Sequence, residues 1–340
     1  MGSKVRVVRR SSLNVSIFSP VCPSQGSEFS SADPRLPAGG FVQVQAFGKI
    51  NLFLDVLGKR VDGYHDIVSV MQSVDLCDDL VIRCGSDNVR LFCDNPLLPT
   101  DERNLVVRAA TVLMREFNIC EGVEIELSKR IPMGAGLAGG SADCAATLVG
   151  MNELFGLNIP QSKLLEIGKA LGADVPFCLT GGTVLTKGIG EKITTLEPHP
   201  PCLIVVACPD IHVSTGEIFS RLNATRCRSK IELGSTSQFY DTDLILSAIS
   251  KKNLRQISGS LYNVFTPITA GLHPEIADII LQFKKLGALG SEMSGTGSSV
   301  FAYFDNEKSS VMAYNRMKEL VKDVFVCKPV WVLPRKGKCS

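Results

Sequence analysis

Apolar and polar residues begin to alternate once the chain reaches Phe41. Val42, Val44 and Ala46 are separated by Gln43 and Gln45, the period of two expected of a half-buried strand. Residues 51–57 form a second extended run, halted by the turn-forming segment from Gly58 to Gly63. Further short strands are predicted over 67–74, 80–84, 89–92 and 123–127. Between the last two, Leu105, Arg108, Ala109, Val112, Leu113 and Phe117 recur at helical spacing, which predicts a helix over 104–117 with Asn104 as N-cap. A second helix opens at Gly140-Ser141 and runs to about Leu154, and a third spans 162–171, ended by Gly172. Prolines break the chain at 198–201. Beyond them a buried strand is predicted at 203–207, with helices near 215–222, 244–249, 254–258 and 274–286. A glycine-rich stretch, 290–297, leads into a strand at 299–304, and a helix (307–322) and a strand (324–327) close the pattern. Interleaved helices and strands predict an α+β protein, with domains over 41–198 and 199–333 and a tail over 334–340.

Composition narrows the function classes. At 340 residues, 45% hydrophobic and 21% charged, the chain has material for a sizeable core in one or two domains. A formal net charge of only +2 gives no electrostatic reason to expect nucleic acid or an anionic membrane as partner. No apolar run approaches the roughly 18 residues that span a bilayer. The twelve cysteines fall singly with no C-x-x-C, which reads as reduced, buried thiols in a reducing compartment. The first forty residues differ. They carry Lys4, Arg6, Arg9, Arg10 and Arg35 against only Glu28 and Asp33, amid serines and prolines. That is the composition of an organellar transit peptide, and equally of an unstructured or wrongly assigned extension; on either reading residues 1–40 stay outside the fold. The compartment expected is the cytoplasm, or a plastid if the extension is a transit peptide.

The densest chemical signal is the segment Pro132, Met133, Gly134, Ala135, Gly136, Leu137, Ala138, Gly139, Gly140, Ser141 and Ala142, between a strand-like run and a helix. Small residues let the backbone approach a ligand and adopt positive φ. The helix N-terminus behind them offers unpaired N–H groups and partial positive charge, so the segment can cradle phosphates. It is not a Walker A loop, because no Lys-Ser or Lys-Thr follows the last glycine. Gly134, Gly136 and Gly139 fit the spacing of dinucleotide folds, but those need a parallel strand after the helix, and here another helix follows. By composition alone, a tight strand-to-helix connection remains an equal reading.

The segment resembles the P-x-x-x-G-L-G/A-G-S-S-A loop of the GHMP kinases, with Ala138 and Ala142 in place of a glycine and the second serine of many members. Five further stretches follow in order. Ala46 to Leu54, containing Lys49 and Asn51, is similar to a P-A-K-I-N-L-F-L strand, and Asp62-Gly63-Tyr64-His65 to a D-G-Y-H turn. Residues 101–110 resemble an N-L-x-x-R-A-A helix start, Gly172-Ala173-Asp174-Val175-Pro176-Phe177 a G-A-D-V-P-F element, and Met293 to Phe301 an M-S-G-S-G motif. Singly these have plainer explanations: Lys49 as a solvated strand lysine, Asp174 as a turn or cap aspartate, His65 as a surface-turn histidine. The joint pattern, covering roughly 42–330, points to the branch of the superfamily that acts on a cytidylated methylerythritol.

The resemblance implies a ribosomal-protein-S5-like N-terminal domain and a ferredoxin-like C-terminal domain with the site between them. It implies ATP on residues 132–142, Mg²⁺ with Ser141 as a contact, Asp174 as base and Lys49 beside it. The same resemblance implies a small-molecule acceptor phosphorylated on its 2-hydroxyl in the non-mevalonate route to isoprenoid precursors. Asn51, Tyr64, His65, Gly295, Thr296 and Gly297 are then its candidate contacts, with neither nucleic acid nor membrane as partner, in a monomer or homodimer. Two rivals stand beside it. One is another GHMP kinase, of the homoserine or mevalonate type; the other is a non-catalytic nucleotide-binding protein of the same fold, which would be expected to have lost Lys49 or Asp174.

Overall fold

The computed structural model describes residues 6–8, 40–85, 88–223 and 242–331. Strand β1 (Arg6–Val8) lies antiparallel to β2 (Phe41–Lys59) at Gln43–Gln45, so three residues of the extension read as outside the fold add to a sheet edge. The rest of residues 1–39 lies outside the described residues. β2 pairs along its length with β3 (His65–Gly85), and each merges two runs that the sequence pattern separates. The register slips between Phe47 and Lys49, Asn51 and Phe53, and Val56 and Gly58. Each slip resets the inside–outside alternation, which is why the period of two breaks there.

The first half continues through β4 (Val89–Cys93), α1 (Leu105–Glu116), β5 (Gly122–Ser128), α2 (Gly139–Leu154), α3 (Gln161–Leu171), α4 (Val175–Thr180), β6 (Thr183–Gly188) and β7 (Lys192–Thr195). Asn104 caps α1 as expected, its side chain accepting from the Val106 N–H. Helix α2 is buried on every side from Ala142 to Met151, the mark of a central helix. At Gly150 a Cβ would stand 2.5 Å from the Ile82 side chain, so glycine is what lets α2 lie directly on the sheet. Neither α4 nor the β6–β7 pair shows in the hydrophobic pattern, being short and lying directly after glycines or turns.

The second half contains β8 (Leu203–Cys208), a helix α5 over residues 215–223, α6 (Asp243–Ser250), α7 (Leu254–Gly259), β9 (Tyr262–Asn263), α8 (Thr266–Leu272), α9 (Pro274–Lys285), β10 (Gly290–Met293), β11 (Val300–Phe304), α10 (Glu307–Lys318) and β12 (Asp323–Cys327). One sheet runs β1-β2-β3-β5-β4, with β6 on β3, β7 on β6 and β9 on β2; the other is antiparallel, β10-β11-β8-β12. The second sheet has the ferredoxin-like order and is buried on both faces. Ile204, Val206, Phe301 and Tyr303 face the first core, whereas Val205, Ala207, Val300, Ala302 and Phe304 face a second one under α9 and α10. Elements beyond residue 199 also complete the first layer. Ile245, Ala248, Ile249 and Ile257 sit in its core, β9 runs parallel to β2, and the Val330 N–H donates to the Ser73 carbonyl. No helix among the described residues is long and apolar enough to cross a membrane.

Candidate active site

Between β5 and α2 the backbone is left-handed at alternate positions: Gly134 (φ +62°), Gly136 (φ +78°) and Ala138 (φ +57°). Such alternation makes a concavity of N–H groups. Three successive carbonyls of the loop are held from outside it. Ala135 accepts from the Ser299 N–H at 3.1 Å, Gly136 from Ser294 Oγ at 2.9 Å and Leu137 from the Lys49 N–H at 3.0 Å. With its carbonyls tied to β2 and to the 294–299 turn, the loop keeps its N–H groups for the opposite side. Helix α2 begins there with no side-chain cap, so its first donors are backbone groups of Gly139, Gly140 and Ser141. Gly136 must be glycine, because a Cβ would lie 2.0 Å from the Ser294 carbonyl oxygen.

The register slip in β2 between Phe47 and Lys49 brings the Lys49 side chain to the same place. Its ammonium donates to Asn51 Oδ1 at 2.6 Å and stands 4.0 Å from Asp174 Oδ2. The lysine side chain is 5% exposed and the aspartate 34%, so the cation is buried and the carboxylate reaches the cleft. Burial lowers the Lys49 pKa below the usual lysine value, partly offset by Asp174 and Cys178. Asp174 sits at the N-cap of α4 but makes no cap hydrogen bond, which leaves its oxygens for other chemistry.

Asn51, expected as an acceptor contact, is buried and already engaged. Its Oδ1 takes hydrogen bonds from Lys49 and the Gly295 N–H (2.9 Å), and its Nδ2 donates to Ser69 Oγ at 2.9 Å. It therefore orients Lys49 and the 294–297 turn. Asn263 holds that turn from the other side, donating to the carbonyls of Met293 and Gly295.

Lys49, Asn51, Asp174, most of the glycine loop and the turn at Gly295–Gly297 line one cleft of about 1390 Å³. At its far end Tyr64 is 61% exposed, at a turn where Gly63 has φ +88° and Asp62 accepts from the Tyr64 N–H. His65 Nε2 is 3.0 Å from Asn223 Oδ1, and its ring lies 4.8 Å from Phe219 on α5. Thr296 Oγ1 and Thr215 Oγ1 are 3.1 Å apart, joining the glycine turn to the start of α5.

Of the expected residues, only Leu137 and Ala142 are absent from the lining. Both are buried in the first core, where they anchor the two arms of the loop. Leu98, Pro99, Arg103, Lys129, His212 and Phe219 line the cleft unforeseen. They come from loops and a helix face; Arg103 lies inside the 101–110 motif and Phe219 on a predicted helix, and the others carry no local signature.

The sequence and the fold have known relatives. Residues 104–182 match the GHMP kinases N terminal domain and residues 245–323 the GHMP kinases C terminal domain. The chain is 43% identical to the 4-diphosphocytidyl-2-C-methyl-D-erythritol kinase of Acetivibrio thermocellus, over 85% of this chain and 99% of that protein. It is 40% identical to the same-named kinase of Clostridium botulinum (strain Eklund 17B / Type B), over 85% of this chain and all of that protein. The chain belongs to the 4-diphosphocytidyl-2-C-methyl-D-erythritol kinase family. A crystal structure of 4-(cytidine 5'-diphospho)-2C-methyl-D-erythritol kinase superimposes with a TM-score of 0.71 at 28% identity, covering 84% of this chain and 98% of that one. The homoserine kinase from Cytophaga hutchinsonii shares the fold, with a TM-score of 0.63 at 21% identity, over 84% of this chain and 94% of its own. As a member of the family this chain is a phosphotransferase with an alcohol group as acceptor, and the family implies ATP as donor.

Proposed function

We propose that the cleft transfers the γ-phosphoryl group of ATP to the 2-hydroxyl of 4-diphosphocytidyl-2-C-methyl-D-erythritol. The observation that carries this reading is the meeting of Lys49 and Asp174, 125 positions apart in sequence, 4.0 Å from each other beside the glycine loop. Transfer to a hydroxyl needs positioning, charge neutralisation and removal of one proton. Asp174, whose carboxylate reaches the cleft, accepts the proton of the attacking hydroxyl. Lys49, fixed by Asn51, faces the negative charge of the phosphoryl group in flight. The N–H groups of residues 134–141 hold the triphosphate, and the turn at Gly295, Thr296 and Gly297 closes the site from the second sheet.

Among the described residues no group of three or more His, Cys, Asp or Glu is set to hold a metal ion. Ser141 Oγ, at the start of α2, would be the protein contact for a Mg²⁺, which would supply neutralisation of phosphate charge. At the far end, exposed Tyr64 supplies a ring for the pyrimidine and His65, steadied by Asn223 and Phe219, a polar edge for it. ATP consumption measured with the cytidylated erythritol, homoserine and mevalonate side by side tests the reading. Turnover with the first alone is expected; preference for either of the others overturns the acceptor assignment.

A further inference from the structure

Beneath the glycine loop lies a buried ion cluster that the chemistry above does not use. The Lys129 ammonium pairs with Asp78 Oδ2 on β3 at 2.5 Å and with Asp143 Oδ2 on α2 at 2.7 Å. All three side chains are at least 95% buried. Asp78 Oδ1 accepts from the backbone N–H groups of Arg130 and Ile131, at 2.5 and 2.8 Å. Asp143 Oδ1 is buried with no hydrogen-bond partner. Burial of two carboxylates on one ammonium is a weak source of stability, and an unpaired buried polar atom is a further cost. Apolar side chains would fill the space at less cost, so a role in the site is the better account of the cluster.

Its connections supply that role. Asp78 grips residues 129–131, which lead into the loop. Lys129 passes the grip to Asp143, on the second turn of the helix that the loop runs into. Both ends of the 132–138 segment are thus fastened to one ammonium. Gly139 lies against it: a Cβ there would stand 3.2 Å from Lys129 Nζ and 3.0 Å from the Ile131 side chain. We propose that Lys129, Asp78 and Asp143 form a clasp that fixes the separation of the loop's two ends, and with it the convergence of the loop N–H groups on nucleotide phosphates. Lys129 and Asp143 are then positioning residues, and the inference rests on the reading that ATP lies on this loop.

A competing account predicts no weakening. If the cluster acted only through its charge, removing Asp143, whose pKa burial and the neighbouring Asp78 raise, would leave polyphosphate binding unchanged or tighten it. Calorimetric titration with ADP and with CDP separates the two, on wild type, Asp143→Leu and Asp143→Asn, with thermal melting to verify folding. The leucine variant is expected to raise the ADP Kd about tenfold and to leave the CDP Kd within about twofold. The asparagine variant, whose amide oxygen still accepts from Lys129, should recover to within about threefold of wild type. An ADP Kd unchanged in the leucine variant, tightened in both variants, or weakened in step with CDP overturns the clasp. If the leucine variant does not fold, Asp143→Ala carries the same comparison. A wild-type protein that binds no ADP would overturn the nucleotide reading itself, whereas a binding wild type beside an unaffected variant overturns the clasp alone.

Discussion

Lys49 shows how far a single residue's role depends on its surroundings. In the sequence it is one lysine in a strand; in the fold it is a buried cation between Asn51 and Asp174. Removing the proposed base should spare binding, because the loop proposed to hold the nucleotide is built from other residues. Asp174→Asn is expected to lower kcat by roughly 10²–10⁴ with the ATP Kd nearly unchanged, read by steady-state kinetics beside calorimetry. Unchanged turnover would remove Asp174 from the mechanism. Both residues were legible because their neighbours form motifs. Asn51 was legible as a site residue but not in its role, since nothing local reveals that its oxygen is already shared by Lys49 and Gly295.

At the scale of elements, the glycine loop joins three structures: the end of β5, the start of α2 and the turn before β11. Two substitutions should move it in opposite directions. Ala138 sits at φ +57°, where a side chain costs about 1–2 kcal/mol that glycine avoids. Glycine also loses more chain entropy on folding, so Ala138→Gly should stabilise the protein by about 0.5–1 kcal/mol net. Gly136→Ala should instead drive its Cβ into the Ser294 carbonyl and separate the loop from the turn, with loss of activity. Melting temperature and ATP KM, measured on both variants, check the pair; a Gly136→Ala enzyme with wild-type KM would show that the contact is dispensable. The helices α1 and α3 were legible from period and end signals, because their apolar faces repeat along the chain, and α2 from its alanine content, being buried on every side. The long hairpin β2–β3 was not. Its register slips and double burial come from what packs on it, the glycine loop at Lys49 and β9 at Phe53 and Leu54, and not from any local period.

Across the whole molecule, His199 marks the joint between the two sheets. Its ring stacks on Tyr303 of β11 at 5.4 Å, Nδ1 donates to the Pro200 carbonyl, and its own carbonyl accepts from Trp331 Nε1 beyond β12. Burial pushes its pKa down to about 4 from 6.5. Between those values the unfolded chain binds the proton and the folded chain does not. The contribution is therefore complete above pH 6.5 and falls as the pH drops toward 4, by roughly 3 kcal/mol over the interval. Urea unfolding at pH 7 and pH 4.5 should show a smaller loss in His199→Phe than in wild type; equal losses would exclude this histidine as the source.

Sequence alone determined the class of the protein and the chemistry of its parts. Glycine spacing, helix caps and ordered motifs are local, and local geometry needs few neighbours to take shape. Tertiary structure alone decided which of those parts meet. Lys49 reaches Asp174 because a slipped strand and a six-residue helix converge, and Lys129 finds two carboxylates because β3, β5 and α2 close around it. Such contacts join residues tens to hundreds of positions apart, and no period in the chain encodes them.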